Sequence, residues 1–280
     1  MAIETTDGIV NALGNNSSRI VIDKASIANA VAGQMYSLWR ATGQPGQGAI
    51  PTTPAVCNNA LLGAMNFTQQ IAPAVSYGGW ASAFCSNSAV VIEIHDRLMH
   101  MGGLVGNVAT SQTVNLDLHA NLATDNLAER IGDSNYSDVQ WWMEWYADTG
   151  ATASNATVNV TYNDNSSGNL TAFAVGSTAI RASRLISLNG LIPAADSGKF
   201  IRDINTVILS STTGTAGNIG FTATRPRMTM PLNLANKTEI FDWAQLGFPK
   251  IFNSTCLSII ELCSTTTTGI VRGGGKIAHG

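Results

Sequence analysis

Charge is what this chain has least of. Asp, Glu, Lys and Arg make up 12% of its 280 residues, about half the roughly 25% usual for soluble domains. The fifteen basic residues are scattered and the formal net charge is -3. Neither nucleic acid nor an anionic membrane finds the clustered Lys and Arg it requires. Long apolar runs are missing too: Gly, Asn or a charge interrupts each one well short of the ~18 residues that a spanning helix needs. The start, Met1-Ala2-Ile3-Glu4-Thr5-Thr6-Asp7, lacks the basic flank and apolar core of a secretory signal. We therefore expect a chain kept in the cytosol, or one that leaves it by a route needing no such signal. Cys57, Cys85, Cys256 and Cys263 never fall in CxxC spacing, which argues against zinc. They read either as four buried thiols or as partners in a disulfide formed late, once an assembled particle leaves the cell.

Linear catalytic signatures are also missing. There is no GxSxG, HExxH or P-loop, and Gly273-Gly274-Gly275-Lys276 lacks the Walker spacing. The carboxylates, Glu93, Asp117, Glu144, Asp148, Asp164, Asp196, Asp203 and Asp242 among them, occur singly. Several sit in turn sequences, where Asp serves backbone geometry. His95-Asp96-Arg97-Leu98-Met99-His100 holds two histidines that could reach one metal. On a strand, however, they have opposite parity and point to opposite faces. The expectation there is a structural strand end with an Asp96–Arg97 contact. His119 and His279 stand alone in the sequence. We expect no enzymatic activity, no metal and no cofactor.

What is present is β pattern. Val139-Gln140-Trp141-Trp142-Met143-Glu144-Trp145-Tyr146 is the densest aromatic run. Its period of two, with large side chains on both parities, predicts a central strand covered twice, or once by the fold and once by a partner. Val139, Trp141, Met143 and Trp145 are assigned to the core, and Trp142 to a face partly exposed or covered by a neighbour. Val158, Val160 and Tyr162 alternate with Thr157, Asn159 and Thr161 as a one-sided strand. Asn163–Gly168 then reads as a hairpin loop. Further strands are predicted over 19–23, 35–40, 88–98, 107–121, 172–175, 185–188, 204–209, 220–224, 257–263 and 269–277. A short helix carrying Ile9, Val10 and Leu13 is capped by Thr5 or Thr6 and ended by Gly14. Leu127–Arg130 is a turn or single helical turn. Short strands with frequent turn signals and no long 3.6-residue period predict an all-β fold, a β-sandwich or jelly-roll-like body. The breaker-rich stretch Gly43–Gly48, followed by Pro51 and Pro54, predicts the main boundary. It separates an N-terminal arm over 1–55 from a sandwich over 56–280.

Several motifs carry a family resemblance. Ser37-Leu38-Trp39-Arg40-Ala41-Thr42-Gly43-Gln44-Pro45-Gly46 resembles a run found in structural proteins of tailed bacteriophages and prophages. So do Asp96-Arg97-Leu98 with Gly102-Gly103-Leu104, and Thr110-Ser111-Gln112-Thr113. Thr149-Gly150-Ala151-Thr152, Thr213–Gly220 and Arg225-Pro226 are similar to the same family, and the likeness covers about Leu38 to Cys263. It implies a non-enzymatic virion component assembled in the host cytoplasm, a head decoration or cement protein on the major capsid lattice. A tail, neck or fibre-associated protein that binds carbohydrate or the host surface is the alternative. The implied partners are the chain itself, as a dimer or trimer, and the major capsid protein or another virion protein, with no nucleic acid and no membrane. The arm becomes a docking segment, and Trp39, Arg40, Trp142 and Tyr146 are the candidate interface residues.

Overall fold

The computed structural model describes residues 3–178 and 180–280. Met1, Ala2 and Ala179, the first two within the expected arm, lie outside the described residues. The fold is all-β, as expected, built of antiparallel sheets with one short helix near the N-terminus. In chain order the elements begin with α1 (Thr6–Asn15), β1 (Ser17–Lys24), β2 (Met35–Ser37), β3 (Gly43–Gln44), β4 (Ala55–Val56) and β5 (Ser76–Cys85). They continue with β6 (Val90–Leu104), β7 (Gln112–Asp117), α2 (Leu127–Arg130), β8 (Gln140–Ala147), β9 (Asn155–Tyr162) and β10 (Ser167–Asn169). Then come β11 (Phe173–Ala174), β12 (Arg184–Ser187), β13 (Ile201–Leu209) and β14 (Asn218–Leu232). The last four are β15 (Thr238–Phe241), β16 (Lys250–Ile251), β17 (Leu257–Leu262) and β18 (Val271–His279).

Two compact units result, and the division is not the expected one. The first comprises Met1–Ala49, Asn58–Asp96 and Pro226–Gly280; the second comprises Ile50–Cys57 and Arg97–Arg225. The expected arm over 1–55 and body over 56–280 are therefore corrected. β1 pairs along its whole length with β18, from Ser17 opposite Ala278 to Lys24 opposite Val271. The N-terminal segment thus folds with the C-terminal end of the chain. The Gly/Pro stretch read as a linker is tied down within this unit. Lys24 is buried and its Nζ donates to the carbonyls of Ala41 (3.0 Å), Pro45 (2.6 Å) and Gly46 (3.4 Å). Burial lowers its pKa to about 8. Gly48 lies against the indole of Trp39, where a Cβ would fall 1.9 Å from the ring. Glycine serves close approach here rather than flexibility.

In the first unit, β5, β18 and β1 form the centre of a sheet flanked by β15 and β3, with β16 also on β5. Ile20, Ile22, Ala81, Ala83, Val271 and Ile277 point from that sheet into a core shared with Ile92, Ile94, Leu257, Ile259, Met228 and Met230. β17 pairs with β2 on one side and with residues 91–96 of β6 on the other. Helix α1 starts where predicted: the Thr5 side chain accepts from Gly8 N at 3.0 Å. It runs through Gly14 to Asn15, with Asn16 as the C-cap.

The second unit is a two-layer sandwich of its own. β10, β9, β13 and β7 form one layer, with β11 also paired to β9. In the other, β8 pairs with β12 and with residues 218–224 of β14. Val158, Val160, Ile204, Val207 and Leu116 meet Trp141, Met143, Trp145 and Phe221 in one core. β6 continues past the expected end near Leu98 to Leu104. Gly102-Gly103 does not break it, because Gly103 takes a positive φ within the strand and its N–H finds Asn218 Oδ1 at 2.9 Å. Two other strands are shorter than predicted: 107–121 yields only β7, and 35–40 turns after Ser37 into a 3-10 turn over Leu38–Arg40.

Candidate functional site

The residues singled out in the sequence are mostly interior. Trp39 is buried, with its indole N–H donated to Ala49 O at 2.9 Å. The half-buried Arg40 guanidinium donates to Gly48 O. Trp142 is buried and donates to Thr224 Oγ1 at 2.8 Å, which corrects the expectation of an exposed or neighbour-covered ring. Tyr146 is buried as well, its hydroxyl donated to Glu144 Oε2 at 3.0 Å. Of the four candidate interface residues, Trp39, Trp142 and Tyr146 are thus used up inside the single chain. Trp141 and Trp145 are core as predicted, and no aromatic platform for stacking a sugar is formed by this strand.

Tyr146 belongs to a buried cluster in the second unit. Arg97 donates to Glu144 Oε2 at 2.5 Å, to the Tyr146 hydroxyl at 2.7 Å and to Thr222 Oγ1 at 2.9 Å; its Nε donates to His100 Nδ1 at 3.0 Å. Burial pushes the Tyr146 phenol up, so it stays protonated and serves as a donor. The expected Asp96–Arg97 contact is replaced by this Arg97–Glu144 pair. Asp96 instead accepts from Cys256 N at 3.0 Å and lies 3.8 Å from Arg227. His95 is buried 2.8 Å from Glu93. Among the described residues no group of three His, Cys, Asp or Glu could hold a metal ion. All four cysteines are buried free thiols.

The open chemistry lies elsewhere, at one end of the first unit. The pairing of β18 with both β1 and β5 places His279 between Ser18 and Ser76. His279 Nε2 is 2.8 Å from Ser18 Oγ, and Nδ1 is 2.9 Å from Ser76 Oγ. Thr68 N donates to Ser18 Oγ at 2.8 Å. His279 and Ser76 are buried while Ser18 is partly open. Desolvation lowers the imidazole pKa, keeping the ring neutral near pH 7. Its backbone is fixed from the opposite side: Asn16 Nδ2 donates to His279 O, and His279 N donates to Asn16 O, both at 2.9 Å.

Three recesses adjoin this relay. One of about 540 Å³ is lined by Ser17, Ser18, Arg19, Asn66, Phe67 and Thr68. A second of about 460 Å³ shares Ser17 and Thr68 and adds Asn15, Asn16, Gln69, Gln70 and His279 to its lining. A third, about 340 Å³, opens between α1 and His279. Polar groups dominate the linings of the first two, whereas the third is also lined by Ile3, Gly8 and Ala12. No protein family and no curated protein matches the chain. Among solved structures, the chain is similar to the infectious bursal disease virus VP2 subviral particle at 9% identity and a TM-score of 0.19, over 94% of this chain and 79% of that one. The Gt strain of the same virus gives 8% identity and a TM-score of 0.18, over 94% and 81%. The Gx strain gives 8% and 0.18, over 95% and 82%.

Ser18 and His279 are 261 residues apart in sequence. No local spacing signals their meeting. Only the β1–β18 register brings them together, and the sequence carries that register as two faint strand patterns at its opposite ends.

Proposed function

We propose that the protein is a structural component of a tailed-bacteriophage virion, a capsid decoration or cement protein that stabilises the head as a homo-oligomer on the major capsid protein. The observation that carries this reading is the outer face of β9, β10 and β13. Asn205 donates to Asn159 Oδ1 (2.9 Å) and to Thr161 Oγ1 (3.1 Å), while Asn159 donates to Asn169 Oδ1 (2.7 Å). These amides form an uncharged ladder held in place before any partner arrives. Such a face can meet a neighbouring subunit with little desolvation of charge and little side-chain ordering. A chain with 12% charged residues has few other means of keeping sheet edges apart, so covering them by assembly serves the same end.

Imaging of a purified particle tests the reading. Hundreds of copies on the head surface are expected. A handful of copies at the neck or tail would move the protein to those assemblies. A chain that stays monomeric and is absent from particles would overturn the proposal.

A further inference from the structure

We infer that Ser18, His279 and Ser76 form a nucleophilic acyl-transfer site, with Ser18 as nucleophile, His279 as general base and Ser76 as the positioning residue. The inference is independent of the virion reading. It runs against the sequence-based expectation of no catalysis, which rested on the absence of linear motifs. A serine nucleophile is recognised by geometry and roles rather than by sequence position.

The geometry requires Ser18 Oγ to give its proton to an imidazole nitrogen that has no proton of its own. The tautomer that meets this requirement carries its proton on Nδ1, 2.9 Å from Ser76 Oγ, and leaves Nε2 bare, 2.8 Å from Ser18 Oγ. Both distances are within the reach needed for a nucleophile–base pair and its orienting group. The base is buried and its backbone is clamped to Asn16 on both polar atoms, so the ring is held without a substrate. Ser18 lines the recess of about 540 Å³, and His279 borders the two beside it. Thr68 N–H donates to Ser18 Oγ at 2.8 Å, which fixes the hydroxyl and leaves its own proton directed to the imidazole.

The lining selects the substrate class. Ser17, Asn66 and Thr68, with Asn15, Gln69 and Gln70 in the adjoining recess, offer hydroxyls and amides beside Arg19 and the ring of Phe67. This suits a hydroxyl-bearing carrier whose small acyl group is presented as an ester. Ser18 Oγ attacks the acyl carbon as its proton passes to Nε2. The ester C–O bond breaks, and the departing alkoxide takes that proton. Water then attacks the acyl-serine, loses its proton through Nε2, and releases the acid and free Ser18. Ester and water become alcohol and acid, and no co-reactant is needed.

The test uses the full-length chain with p-nitrophenyl acetate and a fluorophosphonate probe, read by intact mass, peptide mapping and nitrophenolate release. One adduct on Ser18 is expected, with a labelling rate that rises with pH through the imidazole range and then levels. Ser18→Ala, on a partly open position, should fold normally and lose the adduct. His279→Gln should slow labelling by about 100-fold or more, the typical contribution of a general base. Ser76→Ala should displace the pH midpoint of labelling. Folded wild-type protein that takes no adduct, or a Ser18→Ala variant labelled as fast as wild type, would overturn the assignment. Either result leaves the virion reading untouched, since that is decided on particles.

Discussion

The most informative perturbation in the first unit is Glu261→Gln. Glu261 lies on β17, opposite Tyr36 of β2 and Ile92 of β6, and is fully buried. Neither carboxyl oxygen has a hydrogen-bond partner. The titratable groups that sense it are the thiols of Cys85 and Cys263, themselves pushed up mainly by burial. Without a cation or donor to hold the charge, burial raises the Glu261 pKa from 4.5 to about 9. The folded chain therefore binds more protons than the unfolded chain between those two values. Stability is fully present on the acid side, falls as pH rises through this window and levels above it. Each pH unit within the window costs about 1.4 kcal/mol, so the step from pH 5.5 to pH 8.5 costs about 4 kcal/mol as an upper figure. Glutamine has the shape of the protonated acid but cannot ionise. Urea unfolding, followed at several pH values, should show the variant close to wild type near pH 5 and increasingly more stable toward pH 8.5. Parallel profiles for the two proteins would refute the reasoning and would mean that Glu261 finds solvent or a partner in solution.

Three further outcomes are expected. Trp145→Ala should cost about 3–5 kcal/mol, and Trp142→Ala should also lower the unfolding midpoint of the isolated protein, because both rings are buried; a Trp142 variant with unchanged stability would contradict that burial. Arg97→Met leaves the Glu144 charge buried and should cost about 3–5 kcal/mol, whereas Arg97→Met with Glu144→Leu should recover much of the loss; a double-mutant cycle with no coupling would argue against the pair. Deleting residues 1–42 removes β1 and Trp39 and should abolish cooperative unfolding of the first unit. A truncated chain with full native circular dichroism and an unchanged melting profile would show that the β1–β18 pairing is dispensable.

Strand identity was legible where apolar residues alternate with polar ones, as on β9, but not on β5, whose alternating burial is carried largely by Gly, Ala and Ser. Val158, Val160 and Tyr162 are fully buried and Thr157, Asn159 and Thr161 are not, as their alternation requires. The rule weakened on β8, where both parities are large. Trp141 and Trp145 were placed correctly, but Trp142 is covered by its own unit and satisfied by Thr224. Glycine misled twice, since Gly48 exists to approach an indole and Gly103 to hold a strand at positive φ. Local sequence does not distinguish those uses from a linker or a break. The Ser18–His279–Ser76 relay was invisible because it depends on register between strands from opposite ends of the chain. The Glu261 site was missed for a related reason: nothing in Leu257–Leu262 says that the one acid faces inward.

The order of β1, β18 and β5 in the first sheet has a consequence for how the chain is made. β18 is synthesised after β1 and β5, yet it lies between them in the sheet. Until the ribosome has produced it, β1 and β5 wait with unsatisfied edges. Residues 97–225 of the second unit, by contrast, are complete much sooner. Contacts of such long sequence separation form slowly, and waiting edges are where chains stick to one another. The second unit should therefore acquire protease resistance earlier in translation than the first, which must wait for β18. Production in a host should depend on translation speed and chaperone supply more steeply than the stability of the finished protein would suggest.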